Sequence, residues 1–444
     1  MSPVITRIPP SPTGRFHIGT ARAALFNYLF ARHHGGKIIF RSEDTDRTRS
    51  KKEHEEEIIE GLTWLGLSWD SFSRQSEHTA RYHELLDRLV REGKAYVSAE
   101  PSREDPSVTV EVVRLKNPGT SVTFTDLIRG DITFDTTELG DFVIARSITD
   151  ALYHFAVVAD DSDAGVTHVI RGEDHISNTP RQILIQEALG VPRPAYAHLP
   201  LIVDEKRAKL SKRSGATSVM DYRNEGFLPE ALVNYLALLG WSAGDDREDF
   251  SLAELVEAFS LEGVHKSSAA WNREKLLSVN QRWMRKLSAD DFIARGNLEA
   301  TNTDTLRKIV PLLKERARTF GEARAMLSGE LVCFFIEPSP NRTTLIAKEP
   351  IDRPGMTKTA LESLCKALEA LQEGLSPEAV KEALMPFADV EETRGKGGRG
   401  AMLWPLRYAL SGAERSPDPF TLISVLGVPE AVSRIRKAIA ILGE

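Results

Sequence analysis

The first 41 residues change hydrophobic period twice. Val4-Ile-Thr-Arg-Ile8 is a short apolar run that predicts a strand, and Pro9 to Gly14 is a Pro- and Gly-rich break. Ala21, Ala24, Leu25, Tyr28 and Leu29 then fall at i, i+3, i+4, i+7 and i+8, the stripe of a helix that Gly35-Gly36 stops. Lys37-Ile-Ile-Phe-Arg41 predicts the next strand. Strand, helix and strand in this order make one βαβ unit, which implies a parallel sheet.

Two amphipathic helices follow, one around Ile58, Ile59, Leu62 and Leu65, the other around Tyr82, Leu85, Leu86, Leu89 and Val90. From about Val108 to Arg146 the pattern turns strand-like, with Val108-Thr-Val-Glu-Val-Val, Val122-Thr-Phe, Ile132-Thr-Phe and Phe142-Val-Ile-Ala separated by Gly and Asp turns. This predicts a small inserted domain. Strand–helix alternation then resumes: Val166 to Arg171 as a strand, a helix opening at Thr179-Pro180 and ending at Gly190, and a strand Leu199-Pro-Leu-Ile-Val203 before a charged loop, Asp204 to Arg213. Beyond about Gly240 helical patterns dominate, broken near Glu337-Pro-Ser-Pro340, Pro350 to Pro354 and Arg394 to Gly400. An α/β half precedes an all-helical half.

Composition narrows the function classes. With 41% hydrophobic and 27% charged residues in 444, the chain reads as an ordinary globular protein of about three domains. No apolar run approaches the length of a membrane span and the start lacks the layout of a secretory signal, so a cytoplasmic, membrane-free protein is expected. Cys333 and Cys365 have no second Cys or His at ligand spacing, which argues against disulfides and a Cys-rich zinc site. The net charge of −7 argues against nucleic-acid binding by bulk charge alone and leaves local basic patches open.

Two motifs carry chemistry. Pro12-Thr-Gly14 runs into His17-Ile-Gly-Thr20 where a strand turns into a helix; the unpaired N–H groups of that helix start, the small residues Gly14 and Gly19, Thr20, and a His17 able to donate suit a phosphate. The same residues would also serve as a plain helix start. Lys209-Leu-Ser-Lys-Arg213 places three cations in five positions on a loop. Alone it reads as a solvated charge run; with the first motif it could grip a triphosphate from the other side.

Taken together, Ile8-Pro-Pro-Ser-Pro-Thr-Gly14, Phe40-Arg-Ser-Glu-Asp-Thr-Asp46, Val169-Ile-Arg-Gly-Glu-Asp-His-Ile-Ser-Asn-Thr-Pro-Arg181, Lys209-Leu-Ser-Lys-Arg-Ser-Gly-Ala-Thr217 and Tyr235-Leu-Ala-Leu-Leu-Gly-Trp241 resemble the bacterial-type glutamyl-tRNA synthetases among the class I aminoacyl-tRNA synthetases. The resemblance is dense to about residue 280 and looser after it. It implies a Rossmann-like parallel-sheet catalytic domain of the α/β class with a small α+β insertion, followed by an all-α C-terminal half. The implied division is 1–95 and 151–240 for the two catalytic halves, 96–150 for an acceptor-arm insertion, 241–320 for a stem-contact region and 321–444 for anticodon binding.

The resemblance also implies roles. His17, Lys209 and Lys212 would be catalytic; Gly19, Thr20, Ser211 and Asp174 would join them around ATP, with Mg²⁺. Arg7, Ser11, Glu43, Tyr153 and Arg171 would hold L-glutamate: the arginines its carboxylates, with Arg7 on the side chain, and Glu43 its ammonium. His175 would lie beside the same pockets. Arg353, Arg394, Arg399, Trp404 and Arg407 are chemically suited to single-stranded anticodon bases. The partners implied are tRNA for glutamate, with tRNA for glutamine left open, and the chain is expected to be a monomer. Many relatives carry a zinc-binding cysteine cluster where this chain reads Lys94-Ala-Tyr-Val-Ser-Ala-Glu-Pro-Ser-Arg103, so no zinc is expected. The rival readings are a glutaminyl-tRNA synthetase, disfavoured by the helical end and by Ser11 in the first motif, a truncated relative that modifies a tRNA base, too short to match, and a catalytically idle tRNA-binding module.

Overall fold

The computed structural model describes residues 3–102, 105, 107–204, 206–208, 210, 218–393 and 399–443. The chain divides into two compact units, Met1–Asn280 and Gln281–Glu444.

In the first unit, β1 (Ile5–Ile8), α1 (Ile18–His33), β2 (Lys37–Ser42), α2 (Lys52–Trp64) and β3 (Ser71–Arg74) build a parallel sheet of order β1-β2-β3. β3 escapes the periodicity because Ser71-Phe-Ser-Arg74 is too short and polar to signal a strand. α1 is buried on more sides than its stripe predicts: Phe26, Asn27 and Phe30 are buried with the expected Ala21, Leu25 and Leu29, and Tyr28 is only half-buried. Asn27 stitches the helix to the sheet, donating to Ile170 O at 2.9 Å.

After α3 (Thr79–Arg91), β4 (Ala95–Pro101), β5 (Thr109–Leu115), β8 (Phe142–Ser147) and β9 (Asp150–Ala151) form an antiparallel sheet, β4-β5-β8-β9. The hairpin β6 (Ser121–Asp126) and β7 (Gly130–Asp135) joins β10 (His168–Gly172) and β11 (Ala195–Leu199) in a different sheet, of order β10-β11-β6-β7, through a parallel bridge from Asp126 to Tyr196. α4 (Tyr153–Asp163), β10 (His168–Gly172), a 3₁₀ turn (Glu173–Asn178), α5 (Thr179–Leu189) and β11 (Ala195–Leu199) complete that half. Pro180 opens α5 and Gly190 closes it at φ 66°, a left-handed cap that glycine adopts without penalty. The expected strand Leu199 to Val203 is broken: β11 ends at Leu199 and β12 (Ile202–Val203) pairs with β13 (Ala269–Ala270). Pro200 has no N–H for a ladder, and its carbonyl accepts from Arg22 instead.

The two sheets meet at Thr167. Its Oγ1 accepts from Ile5 N at 2.8 Å, its N–H donates to Ile5 O at 3.0 Å, and its carbonyl accepts from Ala195 N at 2.9 Å. One threonine thus ties β1 to the start of β10 and β11. The apolar faces of α3, α4, α5, β5, β6, β8, β10 and β11 share one core, with Leu86, Ile144, Phe155 and Ile183 fully buried. Helices α6 (Val219–Glu225), α7 (Pro229–Leu238) and α8 (Leu252–Ala258) follow, and α9 (Arg273–Lys286) runs through the boundary between the units.

The second unit's described residues are helical: α10 (Ala289–Gly296), α11 (Thr303–Arg316), α12 (Phe320–Ser328), α13 (Arg342–Leu345), α14 (Met356–Glu369), α15 (Pro377–Thr393), α16 (Gly400–Ser411), α17 (Pro419–Leu426) and α18 (Val428–Gly443). At least six of them start on a side-chain cap: Ser288, Asn302, Thr319, Asn341, Ser376 and Asp418 each accept a backbone N–H of the first turn. Among the described residues no helix is long and apolar enough to cross a membrane.

Candidate active site

A cavity of about 360 Å³ opens where β1 and β10 end, lined by Ile8 and Pro9 from one strand, Arg171 and Gly172 from the other, and the start of α1 between them. A break in strand order at strand C-termini is where open α/β sheets bind ligands. His17 caps α1 with its ring: Nδ1 accepts from Gly19 N at 3.2 Å. A neutral imidazole that accepts at Nδ1 carries its proton on Nε2 and can donate there. Gly19 and Thr20 line the cavity with His17. Gly14 and Gly19 have ordinary φ values, and the protein itself would tolerate a Cβ at either. Gly172 is different: a Cβ there would sit 2.5 Å from Asp174 Oδ1, so glycine lets that carboxylate fold over the strand end into the cavity wall.

The strand ends supply three buried guanidiniums. Arg7 pairs in register with Ile39, two residues from Arg41, so Arg7 and Arg41 share one face of the sheet. On that face α4 presents Asp160 and Asp161, both buried. Arg7 Nε lies 3.3 Å from Asp161 Oδ2, and Arg41 bridges Asp161 Oδ1 at 2.6 Å and Glu43 Oε1 at 2.9 Å. Asp160 accepts from Gln75, His78 and Tyr82. Burial, opposed by Arg41, leaves the Glu43 carboxyl above its ordinary range; at Asp161 burial is outweighed by Arg41 and Arg7, and its carboxyl is held low. Among the described residues Arg7 Nη1 is a buried donor with no hydrogen-bond partner.

Arg171 is the third, 6% exposed. It donates from Nε to His198 Nε2 at 3.2 Å, from Nη1 to Gln182 Oε1 at 2.7 Å and from Nη2 to Thr179 Oγ1 at 2.8 Å. All three acceptors are neutral, since burial pulls the His198 ring below its ordinary pKa despite the neighbouring Asp126. Among the described residues no carboxylate pairs with Arg171, and burial lowers its own pKa. A buried, unneutralised cation at a cavity wall favours an anionic ligand.

Of the remaining predicted residues, Ser11, Glu43 and Tyr153, like Arg7, are not among those lining the cavity. Ser11 Oγ donates to the Glu43 carbonyl at 3.1 Å, tying the first motif to the second. Tyr153 opens α4, with its hydroxyl 3.5 Å from His175 Nδ1 and its pKa pushed up to about 12, chiefly by burial. Asp174 and His175 line the cavity. Lys209, Ser211 and Lys212 lie outside the described residues; Leu210, between them, lines the cavity. The motifs did not single out Arg41, Asp160, Asp161, His198, Asp126 or Gln182. A charged residue directly after the apolar run Ile38 to Phe40, and two carboxylates ending the buried run Phe155 to Asp161, are the available signals.

In the second unit Arg353 lines a separate cavity of about 780 Å³ with Met356, Phe387 and Met402. Arg407 is a brace: it lies 4.8 Å from the Trp404 ring and donates to Glu414 O and Ser416 O, while Arg399 pairs with Asp389 at 2.7 Å. Arg394 lies outside the described residues.

Comparison with known proteins agrees over the whole chain. The family model for the catalytic domain of class I tRNA synthetases (E and Q) matches residues 3–105 and 103–278, and that for an anticodon binding domain matches 261–439. The glutamate–tRNA ligase of Geobacter sulfurreducens is 41% identical, aligned over 100% of both chains, and that of Syntrophobacter fumaroxidans 40% identical over 99% of this chain and 98% of its own. A crystal structure of a glutamate tRNA ligase from Elizabethkingia meningosepticum in complex with its amino acid superposes with a TM-score of 0.83 at 30% identity, covering 99% of this chain and 100% of the other. The glutamate-tRNA synthetase of Elizabethkingia anophelis gives 0.79, also at 30%, covering 98% and 99%. With residues of three of the motifs lining one cavity and full-length likeness to these enzymes, the chain belongs to the glutamate–tRNA ligase family of class I aminoacyl-tRNA synthetases.

Proposed function

We propose that the cavity at the ends of β1 and β10 activates L-glutamate with ATP and passes the glutamyl group to the 3′ end of tRNA for glutamate. An α-carboxylate oxygen of glutamate attacks the α-phosphorus and pyrophosphate leaves; a terminal ribose hydroxyl of the tRNA then attacks the activated carbonyl and AMP leaves. No protein nucleophile is required. Catalysis rests on positioning and on charge stabilisation at the phosphates by His17 and the α1 start, together with Lys209 and Lys212. The single observation that carries this reading is Arg171, a buried cation with neutral partners at the cavity wall. It receives the α-carboxylate, and Arg7, with its unpartnered Nη1, the side-chain carboxylate. Glu43, Ser11 and Tyr153 complete the amino-acid site, and Gly19, Thr20, Ser211 and Asp174 the nucleotide site.

Among the described residues there is no cluster of three or more metal-ligating side chains. Asp174, a carboxylate in the cavity wall, fits a Mg²⁺ that would arrive with the nucleotide. The ion would neutralise phosphate charge. We assign 1–95 and 151–240 to the catalytic domain, 96–150 to acceptor-arm contact, 241–320 to the tRNA stem and 321–444 to the anticodon, with Arg353 the residue that faces a cavity there. A zinc-free monomer working in the cytoplasm completes the reading. Aminoacylation with labelled glutamate, using tRNA for glutamate and for glutamine side by side, tests it. Charging of tRNA for glutamate is expected, and charging of tRNA for glutamine as well would widen the substrate range. Charging of neither would overturn the assignment.

A further inference from the structure

We propose that His198 and Asp126 are positioning residues that hold Arg171 at the angle required for the substrate carboxylate; this rests on the reading of Arg171 given above. Donor and acceptor counting fixes the proton positions. Arg171 Nε–H can only donate, so His198 Nε2, 3.2 Å away, must carry a lone pair. The ring proton of the neutral imidazole is therefore on Nδ1, where it meets Asp126 Oδ2 at 2.6 Å. Asp126 is itself pinned as a full acceptor. Oδ2 also takes the His198 N–H at 3.0 Å, and Oδ1 takes Ile128 N at 3.0 Å and Arg129 N at 2.8 Å. Both side chains of the His198–Asp126 pair have 0% exposure, so water cannot substitute for either partner.

The consequence for Arg171 is rotational. A guanidinium has five N–H bonds, and His198, Gln182 and Thr179 take three of them. The plane is set by contacts at Nε, Nη1 and Nη2 at once, and the two N–H bonds left over have fixed directions. His198 holds the Nε corner, and Asp126 keeps His198 in the one tautomer that can accept there. Asp126 belongs to the β6–β7 hairpin, not to the strands that line the cavity. A residue of the inserted segment therefore acts on the amino-acid pocket through one histidine.

Asp126→Asn breaks this logic in either orientation. Its amide N–H groups would face either the Ile128 and Arg129 donors or the His198 donors, and the latter drives His198 to carry its proton on Nε2, against Arg171 Nε–H. The expected result is a rise in the KM for glutamate of roughly tenfold to a hundredfold, the range seen when orienting partners of ligating side chains are removed. The KM for ATP should stay within about twofold of the parent. In an Arg171→Leu background, Asp126→Asn should raise the glutamate KM no further; an additive loss would mean a general structural role and would overturn the proposal. Should Arg171→Leu alone leave the glutamate KM unchanged, the site reading itself fails. An unchanged KM in Asp126→Asn beside a raised one in Arg171→Leu removes only the positioning role. Should the variant not fold, ring ¹⁵N spectra of the histidine-labelled parent, with His198 assigned by comparison to His198→Gln, still decide. A neutral Nδ1–H tautomer is expected, and an Nε2–H tautomer or an imidazolium overturns the proposal.

Discussion

Arg7 and Arg171 are both buried guanidiniums, set in different surroundings. Arg171 has neutral partners, whereas Arg7 shares Asp161 with Arg41 and keeps one buried donor unpartnered. A glutamine side chain would bring an amide whose N–H groups face a guanidinium that also only donates. Sites built on such polar contacts reject analogues by several kcal/mol. Arg7→Leu is therefore expected to lower the glutamate-over-glutamine ratio in ATP–pyrophosphate exchange, measured with tRNA present, by roughly tenfold or more. An unchanged ratio would remove Arg7 from the side-chain pocket. His154 supports a second residue-scale prediction. Its half-buried ring, with Nδ1 unpartnered among the described residues, has its pKa pulled down to about 4, first by burial and then by Arg181 and Arg171. The unfolded chain binds this proton near pH 6.5 and the folded chain only near pH 4, so stability is full above about 6.5 and falls as the pH drops towards 4. The thermal midpoint should fall between pH 7 and pH 5, and His154→Gln should reduce that fall. Parallel midpoint curves for parent and variant would show that His154 does not contribute.

At the scale of elements, α1 shows how one residue serves fold and chemistry together. His17 closes the helix start with Nδ1 and lines the cavity; its part in the chemistry is the proposal made above. Asparagine is a strong N-cap that can replace the first role without the second. His17→Asn should keep the unfolding midpoint within a few degrees while slowing adenylate formation about a hundredfold, the loss of roughly 3 kcal/mol of transition-state stabilisation. Activity and midpoint falling together would make His17 a structural cap alone. The strands carry a related lesson. Leu199 to Val203 reads as one apolar strand, but Pro200 and Leu201 separate β11 from β12, with the Pro200 carbonyl taken by Arg22 of α1. β4 gives no strand signal in the sequence because Ser98, Glu100 and Pro101 leave few apolar positions in it.

At the scale of the molecule, the chain is acidic, at −7, and divides at residues 280 and 281 inside the continuous helix α9. A boundary within a helix leaves no Pro, Gly or charge run to mark it. Cys333 and Cys365 are buried, with no disulfide between them, and burial pushes both thiols up, away from the thiolate a metal needs. Elemental analysis of the purified protein is expected to find no stoichiometric zinc. One tightly held zinc per chain, lost with activity on chelation, would contradict this.

What the chain by itself determined is local. Period and punctuation predicted β1, α1 and β2, the caps and stops of α5, and the helical second half, because each depends on neighbours within a few turns. The helix-start motif also marked His17, and the family resemblance Arg7, Glu43 and Arg171, as the residues to watch. Tertiary structure alone decided how those side chains are charged and aimed. Asp161 meets Arg7 across 154 positions and Arg41 across 120, and Asp126 reaches His198 across 72. Whether a buried arginine is neutralised or left for a ligand depends on which carboxylates the fold brings within about 4 Å, and no pattern along the chain encodes that distance.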